Sequence, residues 1–530
     1  MRTVRMNHSK RWVLLGLCLS LVCSMAACTR SSGEQPAGIA RPIEPTRQGG
    51  EEIGGSMGGG GATSAPRPTP SLAYPGVYVG TPTPNPTPVG HVAGSGVETH
   101  VVQAGQTLGW IALVFDCAVE ELVTANGLRN ADSIVAGQTL IIPVSATLTG
   151  PALKLVPDSE MVYGPAYIHF DLEGFVAGRG GYLVSYTEEV EGELRTGPEI
   201  VQLIAQRFSV GPRVLLALLE LQSGWVTEPQ PAAETLTYPL GHVQDYREGL
   251  FQQLSWAALR LNEAYYGWKR GDWGTVRLLD GTRVAIAPGL NPGSAGVQNC
   301  LAALSSTWEG WLTLVESGGF PAAYERLFGN PFSYAVEPLV PPDLVQPELR
   351  LPWEAGQTWY LTSGPHGGWG EGSGRAALDF VPAERMLGCA PSREWATAAA
   401  AGLVTRSENG EVVIDLDGDG FEQSGWVLLY LHVHTGGRVE AGTFVQRGQR
   451  IGHPSCEGGY SNATHLHFAR RYNGEWIPAG SGPLPLVLSG WVAQEDEMPY
   501  DGRMVKGDQV RTACECWEDD YNGLISDNAP

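Results

Sequence analysis

The segment Thr464-His465-Leu466-His467-Phe468 places two histidines at positions i and i+2 within a short apolar run. Side chains alternate between the two faces of a β-strand, so this spacing predicts that both imidazoles lie on one face. Two neighbouring imidazoles can bind a metal ion or exchange protons near neutral pH. The segment therefore predicts a strand with a functional face, although two surface histidines would show the same spacing.

The sequence around this segment predicts an antiparallel all-β domain over residues 350–482. Runs rich in β-branched and aromatic residues, such as residues 359–361, 412–414 and 426–430, are separated by glycine clusters, which is typical of strands joined by tight turns. Six of the chain's 11 histidines fall within about a hundred residues of this region: His366, His432, His434, His453, His465 and His467.

Three upstream segments of this region carry further candidate donors. His366 lies in the glycine-rich segment SGPHGGWG, and His432 follows the apolar run LLYL. Asp379 lies in the apolar segment ALDF, where an uncompensated carboxylate would cost free energy. A catalytic zinc ion takes three nitrogen or oxygen ligands and keeps one position open. Together with the paired histidines, these segments predict a zinc site.

These segments resemble the lysostaphin/LytM-type zinc endopeptidases, which cleave the peptide cross-links of peptidoglycan. The shared motifs are a His followed by an Asp, a Tyr-x-His strand at residues 430–432, the run VEAGTFVQRGQRIG at residues 439–452, and His-Leu-His-Phe. The resemblance implies that His366, Asp379 and His467 hold Zn²⁺ and that His432 and His465 form the catalytic pair.

The spacing between His366 and Asp379 departs from this family. Three residues usually separate the ligating His and Asp, whereas 12 separate them here, and Arg375 stands where the His is usual. One interpretation is an inserted loop across which His366 still reaches the metal. The alternative is a site without one ligand, in a catalytically inactive peptidoglycan-binding or regulatory protein.

The acidic segment DLDGDGFE, with Asp415, Asp417 and Asp419, resembles the start of a calcium-binding loop. A Glu normally closes that loop at position 12, and Trp426 occupies the position here. The segment therefore predicts an acidic hairpin turn, with a calcium site as the alternative.

Residues 98–145 predict a small unit with the element order βααβ. The segments VVQAGQTLGWIA, VEELVTANGL and IVAGQTLIIP resemble the LysM module, which binds N-acetylglucosamine-containing glycans such as peptidoglycan. A stabilising domain without a ligand is the alternative. The resemblance implies a groove with Gly105, Gln106, Thr107 and Leu108 on one wall and Ala131, Asp132, Ser133 and Ile134 on the other.

The first 97 residues predict export and tethering. A basic stretch followed by an apolar run over residues 1–28 is typical of a secretory signal. Its end, Met-Ala-Ala-Cys, resembles a bacterial lipobox, which implies a lipid anchor to the membrane on Cys28; ordinary signal cleavage, with secretion to the cell envelope, or an uncleaved membrane anchor is the alternative. Residues 29–97 are rich in Gly, Pro and Thr and predict a disordered stalk.

The middle of the chain, residues 150–345, carries mainly helical patterning. The segment GPRVLLALLELQSGW faintly resembles the catalytic helix of lysozyme-like transglycosylases, but Gln222 stands where that family has Glu, and an amide cannot donate the required proton. We therefore expect no glycosidase activity, although Glu220 lies two residues earlier. Residues 483–530 predict a polar C-terminal tail, with a segment that folds back onto the β domain as the alternative.

Composition limits the possible partners. At 530 residues the chain is multidomain, and its formal net charge of -22 argues against nucleic-acid binding.

Export permits disulfides, for which Cys389 and Cys456 are the favoured pair. Cys514 and Cys516 are too close in sequence for an easy mutual bridge. The sequence as a whole predicts an exported peptidoglycan hydrolase in the cell envelope.

Overall fold

The computed structural model describes residues 98–102, 106–115, 117–142, 148–271, 273–384, 388–496 and 498–526. The predicted signal segment, the stalk, Cys28 and Gly105 lie outside these ranges. Among the helices within them, none is both long enough and apolar enough to cross a bilayer.

The N-terminal unit has the βααβ order that the sequence predicts. Its elements are β1 (Glu98–Val101), α1 (Leu108–Val114), α2 (Val119–Ala125) and β2 (Thr139–Ile142). The two strands pair antiparallel, with His100 opposite Leu140. Leu108, Ile111 and Leu122 are almost completely buried between the helices and the strand pair, so this unit has its own small core.

The middle of the chain, here called the helical region (residues 150–345), is mainly α-helical, as predicted. Its helices are α3 (Asp158–Met161), α4 (Leu172–Arg179), α5 (Gly197–Phe208), α6 (Pro212–Ser223), α7 (Gly249–Arg270), α8 (Pro292–Ala302), α9 (Trp308–Val315) and α10 (Phe320–Phe328). Short strands precede or accompany them: β3 (Leu148–Thr149), β4 (Thr187–Val190), β5 (Glu193–Thr196), β6 (Thr275–Arg277) and β7 (Arg283–Ala285).

Local sequence explains the central helices. Thr196 and Glu199 form a capping box at the start of α5, which satisfies backbone N–H groups that the helix leaves unpaired. The run from Val214 to Leu219 in α6 is apolar on every face and is fully buried. Helix α7 packs against both α5 and α8 and is the central helix of the region.

The β domain (residues 350–482) contains β8 (Thr358–His366), β9 (Ala377–Val381), β10 (Ala396–Thr397), β11 (Gly402–Glu408), β12 (Glu411–Asp415), β13 (Trp426–Leu431), β14 (Phe444–Val445), β15 (Arg450–Gly452), β16 (Leu466–Tyr472) and β17 (Glu475–Trp476). Its main sheet has the strand order β14-β11-β12-β13-β16-β9-β8, and its paired neighbours run antiparallel. This arrangement confirms the predicted fold class.

The helical region covers one face of this sheet. Leu429 and Ala469 belong to the same buried cluster as the helices, whereas their neighbours Leu428 and Phe468 belong to the core on the opposite face. Because side chains alternate along a strand, the central strands are buried on both faces. This explains why β13 reads as an almost continuous apolar run.

Polar contacts join the helical region to the β domain. Arg207 Nε lies 2.8 Å from Glu411 Oε1, and both side chains are buried. Ser209 Oγ donates to Gly474 O at 2.5 Å, and Arg471 Nη1 donates to Gln206 O at 3.1 Å. A buried charge that loses its partner is strongly destabilising. Other ways of docking the two parts, which would separate Arg207 from Glu411, are therefore disfavoured.

The C-terminal segment, predicted as a polar tail, forms strands and pairs with the β domain. It contains β18 (Val487–Leu488), β19 (Trp491–Glu495), β20 (Gly502–Lys506), β21 (Gln509–Thr512) and β22 (Gly523–Ile525). Strands β18 to β21 form a sheet, and β22 pairs with β8 at the edge of the main sheet. In β19, the buried positions alternate, as Trp491 and Ala493 show, so polar residues can occupy the positions between them.

Two disulfides lie in the C-terminal half. One joins Cys389 to Cys456, the favoured pair. The other joins Cys514 to Cys516, which corrects the expectation that these residues are too close in sequence for an easy mutual bridge. The chain bends between Cys514 and Cys516, since Cys516 N donates to Cys514 O at 2.7 Å.

Candidate metal centre and catalytic histidines

Neighbouring strands bring His366, Asp379 and His467 together. Asp379 in β9 lies directly opposite His467 in β16 on one side and Ser363 in β8 on the other. The β8–β9 register shifts after Ser363, and His366 ends β8. The long stretch between His366 and Asp379 therefore includes the loop joining two adjacent antiparallel strands. Despite the unusual spacing, His366 lies beside the other two residues.

The atoms of these three residues that could bind a metal ion, here called the donor atoms, lie around a common point. His366 Nε2 lies 3.3 Å from Asp379 Oδ1 and 3.1 Å from His467 Nδ1, and His467 Nδ1 lies 3.0 Å from Asp379 Oδ1. Bonds of about 2.0–2.1 Å in a tetrahedral arrangement separate neighbouring ligand atoms by roughly 3.3 Å. The three donors therefore have the chemistry and the spacing that a zinc ion requires.

Backbone carbonyls fix the orientation of both imidazoles. Gly364 O lies 2.8 Å from His366 Nδ1, and Gly368 O lies 3.0 Å from His467 Nε2. A carbonyl only accepts hydrogen bonds, so each contact holds the proton on the outer nitrogen. The lone pairs of His366 Nε2 and His467 Nδ1 then point toward the shared centre. Metal-ligating histidines commonly have such an outer partner.

Asp379 controls the charge balance of this cluster. Burial raises the pKa of Asp379, but the imidazoles of His366 and His465 and the hydrogen bonds outweigh it and hold the pKa well below its usual range. Burial lowers the pKa of His366, yet the Asp379 carboxylate produces a net rise. Burial lowers the pKa of His467 by more than the Asp379 carboxylate raises it, so the net shift is downward. The carboxylate therefore stays ionised.

His432 and His465 form a second pair beside the first group. Their ring centroids are 4.4 Å apart, and His465 Nε2 lies 3.8 Å from Asp379 Oδ1. Glu457 O lies 3.0 Å from His432 Nδ1, and Ala463 O lies 2.8 Å from His465 Nδ1, which leaves Nε2 of each ring available. Burial and the two neighbouring imidazoles lower the pKa of His432 to about 3, so its ring is neutral near pH 7.

Tyr500 is a site neighbour that the sequence did not reveal. Its ring stacks on His366 with centroids 4.6 Å apart, and the ring is 47% exposed. Gly364 N donates to Tyr500 O at 2.5 Å, and Tyr500 N donates to Pro365 O at 3.2 Å, so the C-terminal segment is joined to the end of β8. A single tyrosine in a polar stretch of sequence does not indicate that its ring contacts His366.

The acidic segment forms a turn between β12 and β13. Gly420 N donates to Asp415 Oδ2 at 2.9 Å, Asp419 N donates to Asp417 Oδ1 at 3.2 Å, and Phe421 N donates to Asp419 Oδ1 at 2.8 Å. Burial, with the neighbouring Asp417 and Asp419 carboxylates, raises the pKa of Asp415 to about 7. The carboxylates serve the turn itself, as the hairpin interpretation expects, and calcium binding is not supported.

The predicted glycan-binding residues differ in exposure. Thr107, Ala131, Asp132 and Ser133 are exposed. Leu108 is only 1% exposed and belongs to the core of its unit, so its side chain is not available to a ligand. The remaining residues within the described ranges are half-buried: Gln106 and Ile134.

Glu220 in α6 is held by neighbouring side chains. Its Oε1 accepts a hydrogen bond from Thr227 Oγ1 at 2.6 Å and lies 3.4 Å from Arg326 Nη2. Glu220 is buried, and these partners hold its carboxyl in place. The lysozyme-like interpretation of this region stays a prediction.

Comparisons with known proteins divide the chain in the same way. Residues 100–143 match the LysM domain, residues 154–341 match "LasA, N-terminal domain", and residues 389–478 match Peptidase family M23. The chain therefore carries a LysM module and a LytM-type peptidase domain of family M23. The M23 match begins after His366 and Asp379, so the roles of these two residues depend on the geometry above.

Two relatives of known name match a large part of the chain. Protease LasA of Pseudomonas aeruginosa strain UCBPP-PA14 is 28% identical over 359 residues, which are 63% of this chain and 78% of the relative. The protein of strain PAO1 is 29% identical over 360 residues, with the same coverage. Among solved structures, the M23 metalloprotease pseudoalterin is 23% identical and covers 34% of this chain and 99% of its own, with a TM-score of 0.28.

Proposed function

We propose that this chain is an exported zinc metalloendopeptidase, tethered to the cell envelope, that binds peptidoglycan through its LysM module and hydrolyses the peptide cross-links. The observation that carries the proposal is the convergence of His366 Nε2, Asp379 Oδ1 and His467 Nδ1 within 3.3 Å of one another. The similarity to the family M23 and to the LasA proteases supports peptide hydrolysis as the reaction.

His366, Asp379 and His467 are proposed to hold the zinc ion. When bound, zinc polarises a scissile carbonyl and lowers the pKa of water to about 7. Asp379 supplies the one negative charge among the three ligands, and its low pKa keeps it available. Gly364 O and Gly368 O keep both imidazoles in the tautomer that presents a lone pair to the ion.

His432 and His465 are proposed to move the protons of hydrolysis. The Nε2 atom of either ring takes a proton from the attacking water, and the proton then passes to the amine that leaves. Backbone carbonyls hold both rings by Nδ1, so each Nε2 is kept in place for this transfer. While it carries that proton, the same Nε2 donates a hydrogen bond that stabilises the negative charge developing on the carbonyl oxygen.

The N-terminal parts are proposed to deliver the enzyme to its substrate. The exposed side chains of Thr107, Asp132 and Ser133 offer hydroxyl and carboxylate groups to a glycan. A lipid on Cys28 and the stalk at residues 29–97 would hold the module near the cell wall. Binding a second part of the same polymer raises the effective concentration of the cleavable peptides without new contacts at the site.

The experiment compares zinc content with hydrolysis in the purified full chain. We expect about one zinc per chain, as for a site with three protein ligands, and release of peptide fragments from purified peptidoglycan. His467→Ala should lose both properties. The matched control is His453→Ala, which removes a histidine of the β domain that packs on Trp395 rather than on the three donors.

The alternative is a non-catalytic peptidoglycan-binding or regulatory protein with a degenerate site. It expects a wild-type chain that binds peptidoglycan but contains no zinc and releases no fragments. Cleavage by the helical region would instead produce new reducing ends and would depend on Glu220. Each of the three functions therefore gives a different combination of zinc content and product.

A further inference from the structure

The loop that follows His366 is closed by its own hydrogen bonds. This segment, residues 367–374, is called the glycine loop here. Gly368 N donates to Gly374 O at 3.0 Å, and Trp369 N donates to Ser373 Oγ at 2.9 Å. Ser373 Oγ donates in turn to Gly370 O at 2.9 Å. These hydrogen bonds give the loop a defined conformation.

One side of the glycine loop is anchored in the helical region. Trp369 is 9% exposed, and its ring lies 5.1 Å from the Arg207 guanidinium and 6.3 Å from the Phe208 ring. The backbone of the loop also lies directly on α7. A Cβ added to Gly372 would lie 2.4 Å from Leu259 O, so no side chain fits between the loop and the helix.

The other side of the glycine loop lies on the β domain and reaches the site. A Cβ added to Gly368 would lie 2.3 Å from the Trp476 ring, so this backbone also touches the sheet. Gly368 O is the acceptor that lies 3.0 Å from His467 Nε2. Gly368, whose carbonyl orients His467, therefore immediately precedes Trp369, which is buried against the helical region.

We infer that Trp369 is a positioning residue of the metal centre: by anchoring the glycine loop in the helical region, it holds Gly368 O against His467 and so raises the metal affinity of the peptidase site. The inference rests on the proposed function, since it assumes that His467 is a metal ligand. The helical region then contributes to the metal centre through the loop, although Arg207, Phe208 and Leu259 supply none of the three donor atoms.

The size of the effect follows from the outer contacts of metal sites. Loss of a partner that orients a ligating histidine typically weakens metal binding by about 10–100-fold. Trp369→Ala leaves the Gly368 carbonyl in the chain but removes its anchor, so we expect a loss near the lower end, about 10-fold. Trp369→Phe keeps a ring against Phe208 and Arg207 and should bind metal almost as tightly as the wild type.

The test measures the dissociation constant of Co²⁺ by its visible absorption in the full chain. A second variant, Leu259→Ala, removes the side chain whose Cδ2 would lie 2.7 Å from a Cβ added to Gly370, so it loosens the loop from the α7 side without altering the β domain. Its matched control is Leu312→Ala in α9, a half-buried leucine on a helix that packs against α8 and α10. We expect weaker Co²⁺ binding in Trp369→Ala and Leu259→Ala, and unchanged binding in Trp369→Phe and Leu312→Ala.

Urea unfolding of the metal-free variants separates positioning from stability. If Trp369→Ala and Leu259→Ala are less stable but bind Co²⁺ with the wild-type dissociation constant, Trp369 is structural only and the inference is wrong. If Leu312→Ala weakens Co²⁺ binding equally, the effect is a general loss of stability and the inference is also wrong. Failure of the wild-type chain to bind Co²⁺ or Zn²⁺ would instead reject the proposed function.

Discussion

His366 Nε2 lies 3.3 Å from Asp379 Oδ1, although 12 residues separate them in the sequence. The two residues lie on neighbouring antiparallel strands, and the glycine loop between them packs against the helical region. The long spacing is therefore compatible with a compact metal centre, and it introduces a loop that links this centre to another part of the chain.

Asp379→Asn tests the charge requirement of the site. The amide has the size of the carboxylate but is neutral, so it is a much weaker ligand for Zn²⁺ beside two imidazoles. We expect zinc content to fall to roughly a tenth of the wild-type value or less, with loss of peptidoglycan hydrolysis. Zinc measured by mass spectrometry after dialysis checks this, and an unchanged zinc content would contradict the assignment of Asp379.

His432→Ala should separate catalysis from metal binding. The ring is neutral and lies beside His465 rather than among the three donor atoms, so its removal should leave about one zinc per chain. Turnover should fall by roughly 10²–10⁴-fold, the usual contribution of a positioned proton-transfer group. Dye release from labelled peptidoglycan measures the rate. Loss of zinc together with activity would show that His432 instead supports the metal centre.

Gly372→Ala tests the contact between the glycine loop and α7. The added Cβ would meet Leu259 O at 2.4 Å, a backbone atom that cannot move aside without shifting the helix. We expect a loss of stability of about 1–3 kcal/mol, typical of overpacking. Gly318→Ala is the control, since its Cβ would have no neighbour within 4 Å. Equal unfolding curves for the two variants would contradict the close packing described here.

Arg207→Ala tests the docking of the helical region on the β domain. It leaves the completely buried Glu411 without one of its two cationic partners, the other being Arg406. Breaking a buried ion pair costs about 3–5 kcal/mol, and the remaining partner should keep the loss near the lower limit. Urea unfolding measures it. Arg503→Ala breaks an exposed pair with Asp496 and should cost less than about 1 kcal/mol.

Short-range patterns account for what the sequence could predict. The His-x-His alternation predicts that His465 and His467 lie on one face, and the two imidazoles lie 3.8 and 3.0 Å from Asp379 Oδ1. The βααβ order of the N-terminal unit follows equally from local periodicity. The runs at residues 426–430 and 464–468 predict strands, which β13 and β16 confirm, and both strands are buried in the sheet.

Contacts between distant segments could not be predicted in the same way. Arg207 and Glu411 are 204 positions apart, and nothing near either residue indicates its partner. Tyr500 stacks on His366 only because the C-terminal segment folds back onto β8. Leu108 belongs to a motif associated with ligand binding, yet the packing of α1 makes it a core residue. Tertiary packing decides each of these outcomes.

The central claim is that His366, Asp379 and His467 hold one zinc ion. The most direct test is a crystal structure of the full chain grown with Zn²⁺, with anomalous data collected at the zinc edge. The account predicts one peak within about 2.0–2.2 Å of His366 Nε2, Asp379 Oδ1 and His467 Nδ1. A structure in which zinc is bound elsewhere while these three atoms remain without a peak would contradict it.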